Sequence, residues 1–213
     1  MTDPRGPAEA KTRLRRQLVA ARARRSRAAR EHAAVAFDRH LTELLADRPH
    51  LDVAAYLPLA TEPPLEPALV TAHHRGHRIW VPVCEPGRRL SWARWTPDTP
   101  ERSGGAGGLR EPVGARHGAE VMHAVGLLLV PALAVAPGGA RLGFGGGYYD
   151  RFLATLPRTA HPELRTVVCV FADEVLPAGS VPVEELDAPV PLALTENGTV
   201  RLEGPAGPAR GTR

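Results

Sequence analysis

The sequence has two cysteines in 213 residues, only 5% aromatics, and no uninterrupted apolar run of transmembrane length. Each shortage excludes something. Cys84 and Cys169 stand far apart in apolar, strand-like stretches, so neither a disulfide framework nor a four-ligand zinc site can be built from them. Both read as buried thiols. The longest apolar stretch, Val125 to Ala136, contains Gly126 and Pro131 and is too short to span a bilayer. The first residues are polar and charged around Pro4 and Pro7, without the apolar core of a secretory signal, so a cytoplasmic location with no membrane contact is expected. His73, His74 and His77 sit beside Arg75 and Arg78 with no carboxylate at metal-site spacing, and read as a solvated helix end.

What is present is an uneven charge and a clear α/β pattern. The formal net charge is +4, yet nine of the 27 Lys and Arg fall between Lys11 and Arg30, where no Asp or Glu occurs. The remainder is net acidic. The basic segment suits an anionic partner such as nucleotide phosphate or nucleic acid, or equally a solvated helix face. Leu14, Leu18 and Ala21, then Phe37, Leu41 and Leu44, recur at three-to-four spacing and predict two amphipathic helices between Ala8 and about Asp47, broken near Ser26.

Short β-like runs follow: Asp52 to Leu57, Arg78 to Val83, Leu90 to Trp95, Leu127 to Val130, Thr166 to Phe171 and Val190 to Leu194. Pro64 to His74 reads as the helix after the first of them. The runs at 127 to 130 and 166 to 171 are apolar on both faces, which predicts a single three-layer α/β domain over residues 8–202, with a central, mostly parallel sheet flanked by helices. Residues 1–7 and 203–213 are expected to be flexible ends. The stretch Thr96 to Gly118, crowded with Gly, Pro and Arg, is long enough to be expected mobile or functional.

The most informative segment is Arg141-Leu-Gly143-Phe-Gly145-Gly146-Gly147-Tyr148-Tyr149-Asp150-Arg151. It lies between the buried run at 127 to 130 and a helical run, Phe152 to Leu156. Glycines let phosphate oxygens approach backbone N–H groups, and a following helix N-terminus favours an anion. No Gly-Lys-Ser/Thr follows, so this is not a Walker A loop, and Tyr148 replaces the third glycine of a dinucleotide fingerprint. Arg141 and Arg151 supply cations, Asp150 a ligand for Mg²⁺, and Tyr148 and Tyr149 a stacking surface and hydroxyls. The plain reading, a tight turn with aromatic packing, is weakened by those flanking charges.

This segment resembles the signature Arg-x-Gly-x-Gly-Gly-Gly-Tyr-Tyr-Asp-Arg of the 5-formyltetrahydrofolate cyclo-ligase family, also called methenyltetrahydrofolate synthetases. Val130-Pro131-Ala132-Leu133-Ala134 resembles the family's lead-in to it. Lys11-x-x-Leu14-Arg15, Tyr56 through Glu62, Pro82, and Glu111-Pro112 fall in the family's order. The resemblance implies ATP contacts for Lys11, Arg15, Arg141, Gly143, Gly145, Gly146, Gly147, Tyr149 and Arg151. It implies Mg²⁺ at Asp150, folate contacts at Tyr56, Glu62, Trp80 and Tyr148, and catalytic roles for Arg141, Tyr148 and Asp150. Two positions depart from the family pattern: Ala136 replaces its usual Asp, and Leu186 its usual His.

The implied reaction is ATP- and Mg²⁺-dependent cyclisation of 5-formyltetrahydrofolate to 5,10-methenyltetrahydrofolate, with release of ADP and phosphate. Phosphorylation makes the formyl oxygen a leaving group that N10 displaces, so the protein's part is positioning and charge neutralisation. Reduced folate and ATP are the expected partners of a monomer. The alternatives are a folate- or nucleotide-binding relative that has lost turnover, motivated by Ala136 and Leu186, and a nucleic-acid binder using the basic helix. That helix lacks interleaved aromatics for base stacking, which argues against the second.

Overall fold

A computed structural model describes residues 6–103, 108–156, 163–184 and 187–202. The first two elements are helices α1 (Gly6–Ala23) and α2 (Arg27–Leu45). They are separated at Ser26, whose hydroxyl accepts the Ala29 N–H at 3.1 Å and caps α2. The break falls where the spacing predicts it. Helix α1 begins at Gly6, within the stretch 1–7 read as a flexible end; residues 1–5 and 203–213 lie outside the described residues.

After them come β1 (Asp52–Ala54), α3 (Glu66–His74), β2 (Ile79–Glu85) and β3 (Arg89–Trp95). A hairpin follows, of β4 (Glu101–Ser103) and β5 (Arg110–Pro112). Then come β6 (Val125–Pro131), a second hairpin of β7 (Ala134–Ala136) and β8 (Ala140–Leu142), and helix α4 (Tyr148–Thr155). Strands β9 (Arg165–Cys169), β10 (Leu192–Thr195) and β11 (Gly198–Arg201) complete the described chain. The main sheet has the order β11-β10-β9-β6-β1-β2-β3. Its five inner strands are parallel, and the edge strands β3 and β11 are antiparallel to their neighbours. The expected α/β architecture is thus observed.

The parallel strands are apolar on both faces because both faces are covered. Phe37, Leu41, Leu65 and Leu69 pack with Val53, Leu127 and Val167 on one side. Trp92, Met122 and Phe152 pack with Ala54, Leu128 and Val168 on the other. From β1 the chain passes to β2 on one side, and from β6 to β9 on the opposite side. The carboxyl ends of β1 and β6 therefore flank a topological switch point, where open α/β sheets leave a crevice.

Three readings of the sequence need correction, and one gains detail. The glycine-rich loop does not leave β6 directly, because the β7–β8 hairpin intervenes. The stretch from Thr96 to Gly118 carries β4 and β5; of Ser103 to Gly108, residues 104–107 lie outside the described residues. His77 is buried, with its Nδ1–H donating to the Leu51 carbonyl at 3.0 Å. Cys84 is only partly buried.

Candidate active site

The switch point opens into a cavity of about 370 Å³. Tyr56, Leu57 and Glu62 enter it from the segment after β1, Pro82 and Cys84 from the end of β2, and the glycine loop Gly143 to Gly147 covers it. Strand β2 can reach this far because its pairing with β1 ends at Trp80. Pro82, which has no N–H to offer, sits beyond that pairing. The β4–β5 hairpin supplies a further wall through Leu109, Arg110 and Glu111. Glu111 is buried, accepting the Cys84 N–H at 2.8 Å and the Arg102 guanidinium at 2.8 Å.

The loop is shaped by its glycines and watched by arginines. Gly145 and Gly147 have φ of +101° and +70°, values an L side chain rarely adopts. A Cβ on Gly143 would lie 3.2 Å from Arg141 Nη1, one on Gly145 3.6 Å from Arg15 Nε, and one on Gly147 3.8 Å from Arg88 Nη1. Three guanidinium groups, from β8, α1 and the β2–β3 turn, thus each stand at an alternate glycine. Arg15 Nε–H donates to the Gly143 carbonyl at 2.9 Å, fixing α1 to the loop. Arg141 is buried and pairs with Asp150. Burial works against its charge and lowers its pKa, and the Asp150 and Asp187 carboxylates oppose that shift.

The floor beside this cationic rim is different. Glu62 is 4% exposed and accepts the Leu59 N–H at 2.7 Å. Burial raises its pKa to about 7; the Leu59 hydrogen bond and the Arg22 charge act in the opposite direction. The hydroxyls of Tyr56 and Tyr149 are buried without a partner among the described residues, and burial raises both pKa values. Phe144, at the loop's surface, is 43% exposed. An apolar cavity with two unpartnered hydroxyls and a carboxyl whose pKa is raised to about 7 suits a flat, hydrogen-bonding ring system.

Helix α1 contributes two more cations behind the loop. Arg22 is 1% exposed, bonded through Nε and Nη2 to Glu174 at 2.7 Å and through Nη2 to the Ala132 carbonyl at 2.6 Å. Lys11 is 3% exposed and pairs with Glu184 at 2.7 Å and Asp187 at 2.6 Å. Burial works against its charge, but these two carboxylates prevail and raise its pKa. The basic stretch is therefore not simply a solvated face. At Lys11, Arg15 and Arg22 it is turned inward.

Among the sequence-predicted residues, Arg15, Arg141, the loop glycines, Tyr148, Tyr149, Asp150, Tyr56 and Glu62 converge on the cavity or its rim. Trp80 does not. It pairs in register with Ala54 within the sheet, and its Nε1–H donates to Asp52 at 2.9 Å. Arg151 is exposed and outside the cavity lining, while Lys11 is occupied by carboxylates. Sequence reasoning missed Arg88, Cys84 and Arg110, and took Glu111 only as a landmark. Glu111 was within reach, as a carboxylate ahead of the buried strand. Nothing in a three-residue turn flags Arg88.

The exposed glycines and converging guanidinium groups fit a triphosphate. For Mg²⁺ the fit is thinner: Asp150 is the loop's carboxylate, and no cluster of three metal-ligating side chains occurs among the described residues. One or two carboxylates with phosphates and water complete a typical Mg²⁺ shell, so Asp150 remains compatible. Ala136 is fully buried with Leu133, Ala134, Leu142 and Val181, so an Asp there would enter an apolar cluster. Leu186 lies outside the described residues. Among those residues, no helix is long and apolar enough to cross a membrane.

The parallel sheet, the switch-point cavity and the arginine-flanked glycine loop define an α/β protein with a cavity suited to anionic ligands. The 5-formyltetrahydrofolate cyclo-ligase family profile matches residues 7–196. The 5-formyltetrahydrofolate cyclo-ligase of Mycolicibacterium smegmatis is 35% identical over 156 residues, 70% of this chain and 76% of that protein. The Escherichia coli K12 protein of the same name is 28% identical over 67% of this chain and 76% of its own length. The 5,10-methenyltetrahydrofolate synthetase structure from Aquifex aeolicus superposes with a TM-score of 0.72 at 28% identity, covering 95% of this chain and 94% of that one. That of Mycoplasma pneumoniae, at 18% identity and TM-score 0.65 over 86% and 96%, shares the fold. The chain belongs to the 5-formyltetrahydrofolate cyclo-ligase family.

Proposed function

We propose that this chain converts 5-formyltetrahydrofolate to 5,10-methenyltetrahydrofolate at the expense of ATP with Mg²⁺, releasing ADP and phosphate, as a cytoplasmic monomer. The observation that carries the reading is the juxtaposition of a cationic glycine cradle with an apolar cavity containing Glu62, Tyr56 and Tyr149. ATP with Mg²⁺ would supply the phosphoryl group that turns the formyl oxygen into a leaving group.

The chain's own residues bind and orient. Arg15, Arg141 and the loop amides neutralise phosphate oxygens, and Asp150 is the candidate Mg²⁺ ligand. Tyr56, Tyr148 and Glu62 face the folate ring, with Glu62 close to half-protonated at neutral pH and able to accept or return a proton at its carboxyl oxygen. Water is limited by the loop above and by Leu57, Leu90 and Pro131 around the walls.

The test is to mix the protein with 5-formyltetrahydrofolate, ATP and Mg²⁺, and to follow methenyltetrahydrofolate by absorbance, omitting ATP in the control. ATP-dependent product is expected. A folded protein that binds ATP yet forms no product would sink the reaction and leave the lost-turnover reading, which Ala136 and Leu186 motivate.

A further inference from the structure

We propose that Arg88, at the β2–β3 turn, is a phosphate-binding cation that clamps the terminal phosphates of a nucleoside triphosphate onto the glycine loop at Gly147. The inference rests on the ATP reading above and adds a residue to it.

Three observations converge. The first is placement. Of the three guanidinium groups at alternate loop glycines, Arg141 and Arg15 approach Gly143 and Gly145 from β8 and α1, while Arg88 approaches Gly147 from the β2–β3 turn. The second is commitment. Arg141 is paired with Asp150, and Arg15 Nε is bonded to Gly143, whereas Arg88 has no hydrogen bond or ion pair among the described residues. Its donors are free for a ligand. The third is backbone geometry: Arg88 has φ +59°, directly after Gly87 at φ +76°. Glycine suits that conformation far better than arginine, so the side chain is present despite a backbone cost.

An exposed arginine held in an unfavourable conformation, with Nη1 3.8 Å from where a Gly147 Cβ would lie, is placed to share an anion's oxygens with the loop N–H groups. A planar guanidinium offers paired donors to phosphate oxygens, and its charge is not already compensated. Its neighbour Arg89 provides the contrast: same charge, exposed, but turned to the Pro86 carbonyl at 3.3 Å.

The test uses Arg88→Gly, Arg88→Ala, Arg88→Lys and, as the neighbouring-charge control, Arg89→Ala. Arg88→Gly is the decisive variant, because glycine keeps the turn conformation and removes only the cation. Initial rates are measured with ATP varied at saturating 5-formyltetrahydrofolate, and the reverse. Inorganic tripolyphosphate binding is measured separately by calorimetry. Loss of one charge-assisted contact should raise KM for ATP on the order of tenfold and weaken tripolyphosphate by a similar factor. KM for folate should hold, Arg88→Lys should recover part of the loss, and Arg89→Ala should match the parent.

KM for ATP unchanged in Arg88→Gly overturns the proposal. So does a rise in KM for the folate alone, which would assign Arg88 to the substrate's carboxylates. If the parent protein shows no turnover but binds tripolyphosphate more tightly than Arg88→Gly does, the reaction falls and the Arg88 assignment stands. Turnover in the parent with equal tripolyphosphate binding in both overturns the Arg88 assignment and leaves the reaction standing.

Discussion

Helices α1 and α2 have similar lengths, 18 and 19 residues, and similar Ala-, Arg- and Leu-rich compositions, yet they bury opposite chemistries. Helix α2 buries Ala33, Ala36, Phe37, Leu41 and Leu45 against the sheet. The buried side chains described on α1 are Lys11 and Arg22. At 100° per residue, Lys11, Arg15 and Arg22 fall within an arc of about 40°, the same stripe that carries Leu18. One helix holds the fold through apolar area; the other builds the site through cations, and is held in turn by the carboxylates and carbonyls it meets. Composition does not distinguish them. What differs is what each helix faces: sheet for α2, strand ends and loops for α1.

The strongest way to break this comparison is at the buried cation. Arg22→Ala leaves Glu174 buried and unpaired, and should cost about 3–5 kcal/mol of stability by denaturant titration. Arg22→Met with Glu174→Leu should recover most of that loss; if it does not, the pair is more than mutual compensation. Phe37→Ala on α2 should cost a similar 3–5 kcal/mol, by cavity formation and by losing the edge contact with Phe171, whose ring lies 6.4 Å away. Its loss should not be recoverable by any polar partner.

Glu62 tests the polar floor by pH. Its folded pKa, about 7, lies above the ordinary 4.5, so the folded state holds a proton that the unfolded state has lost between those values. Its contribution is fully present below pH 4.5 and disappears as pH rises through 7. The associated change is about 3 kcal/mol. Glu62→Gln should remove that part of the stability profile; an unchanged profile would place the titration elsewhere. Arg15→Ala, the smallest in stability, should shift unfolding by only about 1 kcal/mol, the order of one hydrogen bond, while lowering kcat/KM for ATP roughly a hundredfold. Arg141→Ala is less clean, since it also strands Asp150.

Much of this is legible in the sequence, for physical reasons. The break between α1 and α2 is announced by Ser26 as a cap, and the doubly apolar runs at 127 to 130 and 166 to 171 report a covered sheet. The glycine loop is visible because glycine density and flanking charge are local properties. Strands β4, β5, β7 and β8 are three residues each, too short for alternation to register. Trp80 illustrates the other limit. It shares a strand face with Pro82 and Cys84, which reach the cavity, but its register with Ala54 leaves it two residues too early. Register is a long-range property, and so is the meeting of Arg88 with Gly147.

The Lys11 contacts also bear on biosynthesis. Its partner Asp187 lies 176 residues further along the chain. In a chain emerging from the ribosome α1 precedes its partners, and until Glu184 and Asp187 follow, the ammonium of Lys11 lacks the carboxylates that make its burial tolerable. Its bond to Asp187 cannot form until the chain just ahead of β10 is out. The seating of α1 is thus tied to the segment that follows β9, so a fragment ending before Glu184 would carry the glycine loop but not its fully seated helix.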